Sequence, residues 1–159
     1  IRRGIPVIAF NARFDLTVLD REARRHGVRP LVDRVGGYDS LLVVDPHVID
    51  KQYDRFRKGK RTLGAVCEHY RVPLDDAHAA NADALAAARV AWRLGQVSAE
   101  LRELELRALH GHQVAWAAEQ AASFEEYLRS NGRLERIERA WPIVPQPAAP
   151  APAIERVAA

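Results

Sequence analysis

The sequence of 159 residues contains no methionine, a single cysteine and no long hydrophobic run. Because translation starts at methionine, a chain that opens at Ile1 and contains none is expected to be a processed product or a part of a longer protein. The one cysteine, Cys67, excludes an internal disulfide, and its neighbours lack metal-ligand spacing. We therefore expect a reducing, cytoplasmic environment.

The lack of long apolar runs also limits the class of protein. No run approaches the roughly 18 residues that a membrane span requires, and the first residues do not resemble a secretory signal. We therefore expect no membrane partner. Hydrophobic residues still make up 48% of the chain, enough for the core of one domain, which excludes a wholly disordered protein. The net charge of +3 is too small to indicate a polyanionic partner by itself.

Apolar patterns predict a chain of mixed α/β type. Two short runs, residues 6–10 and 40–44, predict strands buried on both faces of a parallel or mixed sheet. Helical spacing predicts helices at about 14–26, 48–56, 62–70, 81–94, 98–109 and 112–129. Sheets of this class usually contain about five or six strands, so we expect further strands upstream of Ile1.

Two short polar stretches lie where folding alone does not require them. The first, Asn11-Ala-Arg-Phe-Asp15, follows a predicted buried strand and opens a helix. The second runs from His78 to Asp83 and opens an alanine-rich helix. Each stretch alone has a structural explanation, since aspartate in a first helical turn complements the helix dipole and asparagine can cap a helix. Their occurrence together, in this order, favours a functional site.

The paired stretches resemble two motifs of the DnaQ-like 3′-5′ exonucleases of the DEDDh class, which have a ribonuclease-H-like fold. Asn11 and Asp15, with an aromatic residue at Phe14, match the second motif of that family. His78 and Asp83, with alanine two residues after the histidine, match the third. The resemblance covers about residues 5–95 and implies a metal-dependent nuclease.

The resemblance also implies a domain organisation and an incomplete site. Residues 1–97 would be the C-terminal portion of an exonuclease domain, 98–142 a helical extension, and 143–159 a disordered tail rich in proline and alanine. The family's first motif, Asp-x-Glu, does not precede Asn11. Two of the four metal-binding carboxylates are therefore expected upstream of Ile1, and the chain by itself is expected to be inactive.

By resemblance, the chemistry uses two Mg²⁺ or Mn²⁺ ions. Such ions activate water and stabilise charge on the attacking and leaving oxygens of a phosphodiester. The resemblance assigns Asp83 to the metal that activates water, Asp15 to the second metal, and His78 to accepting the proton of that water. Asn11 is expected to steady the terminal nucleotide, and Phe14 to pack against a base.

A basic segment at residues 55–61 has two interpretations. Five of its seven residues are cationic, and phosphate contacts from Arg57, Lys58, Lys60 and Arg61 would give sequence-independent binding of nucleic acid. A solvated loop in an arginine-rich chain explains the same pattern equally well. The remaining histidines show no ligand spacing and receive no role. The three tryptophans are expected to fill contacts between helices.

Three functions remain open from the sequence. The first is a 3′-5′ exonuclease acting on DNA ends in proofreading or repair, alone or with a polymerase. The second is a non-catalytic module that binds nucleic acid or docks a partner through a degenerate exonuclease fold. The third is an RNA-trimming enzyme of the same family. The choice between DNA and RNA as substrate depends on how the site contacts a 2′-hydroxyl, which the sequence does not specify.

Overall fold

A computed structural model describes residues 3–75 and 79–146. Within these ranges the chain is mixed α/β, mostly helical, with one pair of parallel strands. The elements are β1 (Val7–Ile8), α1 (Ala12–Arg25), α2 (Leu31–Val35), a 3-10 turn (Tyr38–Ser40), β2 (Val43–Val44), α3 (Pro46–Tyr53), α4 (Leu63–Tyr70), α5 (Ala80–Val97), α6 (Ala99–Glu103) and α7 (Leu106–Ser130). No helix in the described ranges is long and apolar enough to cross a membrane.

The two strands pair in parallel, as the apolar runs predicted. Val7 lies beside Val43 and Ile8 beside Val44. The Val7 N–H donates to the carbonyl of Leu42 at 2.9 Å. Both strands are shorter than predicted: β1 ends at Ile8 and a turn at residues 10–11 leads into α1, whereas Ser40 belongs to the 3-10 turn and β2 begins at Val43. Burial on both faces is confirmed for β2 and wrong for β1, where Ile8 is 37% exposed.

Local signals located several helices correctly. Thr62 caps α4 by accepting a hydrogen bond from the Ala65 N–H at 3.4 Å, as a threonine before an apolar-periodic run predicts. The alanine-rich segment forms α5, slightly longer than predicted. The helix α7 ends at Asn131, and Gly132 follows with φ +77°, a left-handed conformation that glycine adopts without a steric cost.

The predicted break between the last two helices is wrong. It was expected near residues 109–112, but the chain leaves helical geometry at Leu104 and Glu105, and α7 continues through Gly111. A glycine within a helix costs about 1 kcal/mol relative to alanine. The packing of His110 and Gln113, which flank Gly111 and are both buried, offsets that cost.

The core consists of two apolar clusters on opposite sides of β2. Val43 belongs to one cluster and Val44 to the other, since neighbouring strand residues point to opposite faces. The first cluster is formed with α1, α7 and the segment after α7; the second is formed with α4, α5 and α6. Helices therefore cover both faces of β2, as expected for a strand that is buried on both sides.

The boundaries expected at residues 98 and 143 do not mark breaks in packing. α7 contacts β2 and α3, so the helices after residue 97 belong to the same body as the strands. Trp141 and Ile143 are buried in the first cluster, and the Val144 N–H donates to Thr17 Oγ1 at 3.0 Å. A disordered tail from residue 143 is therefore wrong for residues 143–146. Residues 147–159 of that predicted tail lie outside the described residues.

Two of the three tryptophans differ from the prediction that they fill contacts between helices. Trp92 is 67% exposed on α5 and fills no contact between helices. Trp116 lies edge-on to Tyr53, with ring centroids 5.8 Å apart, and so joins α7 to α3 as predicted. Trp141 belongs to the segment after α7 and is buried in the first cluster, where its indole N–H donates to Asp45 Oδ2 at 3.3 Å.

Candidate active-site cleft

The two predicted metal ligands, Asp15 and Asp83, line the same cleft. Its volume is about 490 Å³. The walls come from the end of β1 and the starts of α1, α4 and α5, and they comprise Ile8, Ala9, Phe10, Asp15, Leu63, Ala80, Asp83, Ala84 and Ala87. Residues separated by 68 positions in the sequence therefore face one space.

The local structure explains why both carboxylates reach this cleft. α1 begins four residues after β1 ends, which puts Asp15 in the first turn of that helix. α5 packs against β1 and carries Asp83 in its own first turn. The Asp83 N–H donates to the Ala79 carbonyl at 2.9 Å, in the first hydrogen bond of that helix. Each carboxylate thus lies in the first turn of its helix, near the positive end of the helix dipole.

The two carboxylates have different surroundings. Asp15 is exposed, whereas Asp83 is partly buried. Burial, and secondarily the charge of Asp83, raises the pKa of the Cys67 thiol on α4. Because a raised pKa keeps the thiol protonated at neutral pH, Cys67 is an unreactive core residue rather than a nucleophile.

His78, the predicted proton acceptor, lies outside the described residues. Its neighbour Ala79 is the N-cap residue of α5, and Ala80 lines the cleft. The described part of the third motif therefore leads directly to the wall of the cleft. The role of His78 stays a prediction.

The donor set of the cleft suits a hard cation that is also held by other oxygens. Mg²⁺ is commonly bound through one or two carboxylates together with waters and substrate phosphates. Asp15 and Asp83 supply two carboxylates at one cleft. Within residues 3–75 and 79–146, no group of three or more histidine, cysteine, aspartate or glutamate residues could hold a metal ion. The described residues therefore fit part of a magnesium site, not a complete protein cage.

Asn11 and Phe14 are not among the residues that line this cleft. Asn11 has left-handed backbone angles, φ 61° and ψ 46°, and it starts α1 without a side-chain cap. Its backbone N–H donates to Asp45 Oδ1 at 2.9 Å. Phe14 is 66% exposed. Asn11 was expected to contact a terminal nucleotide and Phe14 a base. Both contacts remain predictions.

Asp45 is a structural residue that the motif search missed. It is 1% exposed and accepts hydrogen bonds from the backbone N–H groups of Asn11, Ala12 and His47, and from Trp141 Nε1. Burial raises the pKa of this carboxyl, although the four donors oppose the shift. A signal existed in the sequence, since aspartate before proline is typical of a helix N-cap and Asp45 caps α3.

Two of the four basic residues predicted to bind phosphate point into the protein. Arg57 and Arg61 both contact the carboxylate of Asp50, at 2.5 and 2.8 Å, and their side chains are only 13% and 16% exposed. Asp50 itself is fully buried on α3. Arg57 and Arg61 therefore neutralise a buried acid, and their contact with nucleic-acid phosphates stays a prediction. Lys58 and Lys60 are exposed and stay available.

His47, which received no role from the sequence, stands behind one wall of the cleft. Its ring lies 5.1 Å from the ring of Phe10, a residue that lines the cleft. Burial is the main cause that lowers the pKa of His47 to about 4, and the positive charge of Lys51 adds to it. The imidazole is therefore neutral at physiological pH and packs as a partly apolar ring.

Comparison with known proteins adds no further assignment. No family model matches the chain, and neither a curated protein nor a solved structure matches it significantly.

Proposed function

We propose that this chain carries half of the metal site of a 3′-5′ exonuclease that acts on DNA ends. The observation that supports the proposal most directly is the shared cleft. Asp15 and Asp83 were singled out from separate sequence motifs, and both line one space of about 490 Å³ beside the end of β1. Parallel strands of α/β proteins commonly end at their ligand sites.

In this proposal the described residues bind and orient the substrate end. Asp15 and Asp83 hold Mg²⁺ or Mn²⁺ together with phosphate oxygens of the substrate. Bound ions would make hydroxide available near neutral pH and offset charge on the leaving oxygen. His78 accepts the proton of the attacking water, a task that suits a side chain with an ordinary pKa near 6.5. The proposal requires two further carboxylates, those of an Asp-x-Glu motif, which residues 1–10 before Asn11 do not supply.

Substitution of the motif residues tests the proposal in the protein expressed from its complete coding sequence. Asp83→Asn and Asp15→Asn should abolish release of nucleotides from 5′-labelled single-stranded DNA in Mg²⁺. His78→Ala should lower kcat about 10²–10⁴-fold, the usual effect of losing a general base. Asp75→Asn is the matched control, because Asp75 is an exposed aspartate near the cleft-forming helices that does not line the cleft.

Thermal melts keep this test interpretable. Each variant should unfold at the temperature of the unsubstituted protein, since Asp15 is exposed and Asp83 only partly buried. Near-normal nuclease activity in a folded Asp83→Asn variant would contradict the proposal. Residues 1–159 alone should release no nucleotide, because the two motifs they carry supply two of the four metal-binding carboxylates. Parallel assays with single-stranded RNA decide between DNA processing and RNA trimming.

A non-catalytic module is the second candidate. It is favoured by the absence of an Asp-x-Glu motif in residues 1–10, before Asn11, and by the lack of a three-ligand group within the described ranges. This candidate predicts that an oligonucleotide or a protein partner binds equally well with and without Mg²⁺. It also predicts no nucleotide release from the complete protein, an outcome that the exonuclease proposal forbids.

A further inference from the structure

A groove separate from the Asp15 and Asp83 cleft runs between α3, the basic segment after it and the C-terminal half of α7. Its volume is about 540 Å³. We call it the aromatic groove and define it by six of its lining residues: Lys51, Arg55, Phe56, Gln120, Phe124 and Tyr127. Neither predicted motif contributes to it.

The groove carries three exposed aromatic rings. Phe56 is 91% exposed, Phe124 50% and Tyr127 62%. The rings of Phe124 and Tyr127 are close to parallel, at 16°, with centroids 6.3 Å apart. Folding gains little from rings left in water, and clustered exposed apolar groups mark interaction sites. Flat rings at one surface are the platform on which unpaired bases stack.

The groove is also positively charged. Four cationic side chains line it, Lys51, Arg55, Arg57 and Arg61, against one carboxylate, Glu119. Arg57 and Arg61 are committed to Asp50, but in the described part of the chain neither Lys51 nor Arg55 forms an ion pair. Burial, followed by the charges of Arg61 and Arg13, lowers the pKa of Lys51. A bound anion would relieve the mutual repulsion of these cations.

Shared residues connect the aromatic groove with the cleft. Lys51, Gln120 and Phe124 also line a smaller pocket of about 100 Å³, which reaches His47. The ring of His47 contacts Phe10, and Phe10 lines the Asp15 and Asp83 cleft. The smaller pocket and the contact between His47 and Phe10 therefore lie between the two sites.

We propose that the aromatic groove binds a single-stranded nucleic acid, with bases on Phe56, Phe124 and Tyr127 and phosphates on Lys51 and Arg55. The combination of flat rings and unpaired cations fits this ligand better than an acidic peptide, which offers charge but no flat faces to stack. The inference rests on the proposed function for the choice of nucleic acid as ligand. It assigns strand binding to a surface that the exonuclease motifs do not include.

Binding without turnover tests the groove. Fluorescence anisotropy of labelled oligothymidylate of about 16 nucleotides is measured with the full chain in EDTA. The double variant Phe124→Ala/Tyr127→Ala should raise the Kd about 10-fold or more, since each base stacked on an aromatic ring contributes to the binding free energy. Lys51→Gln/Arg55→Gln should reduce the slope of log Kd against log salt by about 0.7 for each cation removed. Binding of an oligomer of about four nucleotides should be weakened less by these substitutions, because so short a strand cannot occupy the aromatic groove and the cleft together.

Matched controls remove a ring and a cation elsewhere. Trp92→Ala deletes an aromatic side chain that is 67% exposed on α5, and Arg102→Gln removes an exposed cation on α6. Both should bind the oligonucleotide like the unsubstituted chain. Equal binding by the groove variants and the controls would overturn the proposal. So would tight binding of polyglutamate combined with no binding of oligothymidylate.

The outcome is separable from that of the exonuclease proposal. In EDTA the metal through which Asp83 would contact a phosphate is absent, so oligonucleotide binding there reports on the groove, whereas nucleotide release in Mg²⁺ reports on the cleft. If Asp83→Asn keeps nuclease activity while the groove variants lose binding, the exonuclease proposal fails and the groove stands. If Asp83→Asn abolishes activity while the groove variants bind normally, the groove proposal fails and the exonuclease proposal stands.

Discussion

Asp45 connects three parts of the chain through one buried carboxylate. It accepts hydrogen bonds from the start of α1, from the start of α3 and from the indole of Trp141. The two bonds to Asn11 and Ala12 hold the left-handed start of α1, which in turn determines where Asp15 enters the cleft. Asp45 is therefore a positioning residue for the candidate site without lining its cleft.

His47 makes folding stability depend on pH. The pKa of His47 in the folded protein, about 4, lies below the ordinary value of 6.5. Between these two pH values His47 is therefore protonated in the unfolded chain and neutral in the folded one. The contribution of His47 to the free energy of unfolding is fully present above pH 6.5 and falls as the pH drops towards 4. It does not change further below pH 4. The loss across this window is about 3 kcal/mol.

Urea unfolding at several pH values measures the effect. His47→Gln should remove this contribution, so the difference in unfolding free energy between the two proteins should change across the window. His26→Gln is the control, because the side chain of His26 is 62% exposed. Parallel pH profiles for the unsubstituted protein and His47→Gln would mean that burial does not hold this imidazole neutral.

Arg57 and Lys58 are adjacent in the sequence but have opposite surroundings. Arg57→Gln removes a partner of the fully buried Asp50 and should lower the unfolding free energy by about 1.5–3 kcal/mol, the contribution of a hydrogen bond to a charged group. Lys58→Gln changes an exposed side chain and should stay within about 0.5 kcal/mol. Denaturant midpoints measure both. Equal stability of the two variants would show that the Asp50 contacts do not contribute.

At the scale of elements, α7 closes the edge of β2 that β1 leaves open. Gln113 is fully buried, its Oε1 accepts from the Asp45 N–H at 2.6 Å, and its Nε2 donates to the Val43 carbonyl at 3.0 Å. The Val43 N–H donates to His110 Nδ1 at 3.2 Å. Helix side chains thus take the place of a neighbouring strand, one of the ways in which proteins protect a sheet edge.

Gln113→Leu tests this arrangement. Leucine fills similar space but leaves the Asp45 N–H and the Val43 carbonyl buried without these partners, at about 1–3 kcal/mol for each group. We expect a loss of at least about 2 kcal/mol of unfolding free energy in denaturant titrations. Gln96→Leu, at an exposed position of α5, is the matched control and should be nearly neutral. A neutral Gln113→Leu would mean that water or a shifted backbone satisfies these groups.

Local patterns predicted the elements better than their connections. The two apolar runs that form the strands, the Thr62 cap and the stop at Asn131-Gly132 follow from residues a few positions apart. The start of α7 did not, because the burial of His110 and Gln113, on either side of the break predicted near residues 109–112, is decided by packing. Local propensity was outweighed there by packing against β2.

At the scale of the whole molecule, the segment after α7 returns to the core. Trp141 and Ile143 pack with α1, and Arg21 donates to the Val144 carbonyl at 2.8 Å. The helices after residue 97 and this segment therefore complete the body that carries the cleft.

Trp141→Ala should be strongly destabilising. Removing a buried tryptophan costs about 3–5 kcal/mol, and here it also deletes a donor to Asp45. Leu134→Ala, at a site that is 90% exposed, is the control and should be close to neutral. Thermal or urea unfolding of both variants provides the comparison. If Trp141→Ala unfolds like the control, the segment after α7 only rests on the core and does not stabilise it.

The sequence by itself determined the helices with clear caps, the two apolar runs that form strands and the two acidic motifs. These features depend on residues within one or two helical turns of each other, where side-chain type decides backbone geometry. Tertiary structure decided that Asp15 and Asp83 share a cleft, that Arg57 and Arg61 turn inward to Asp50, and that Gln113 completes a strand edge. It also joined Trp141 to Asp45, 96 residues apart. Such contacts depend on which buried groups need partners, and that need arises only when the chain has folded around them.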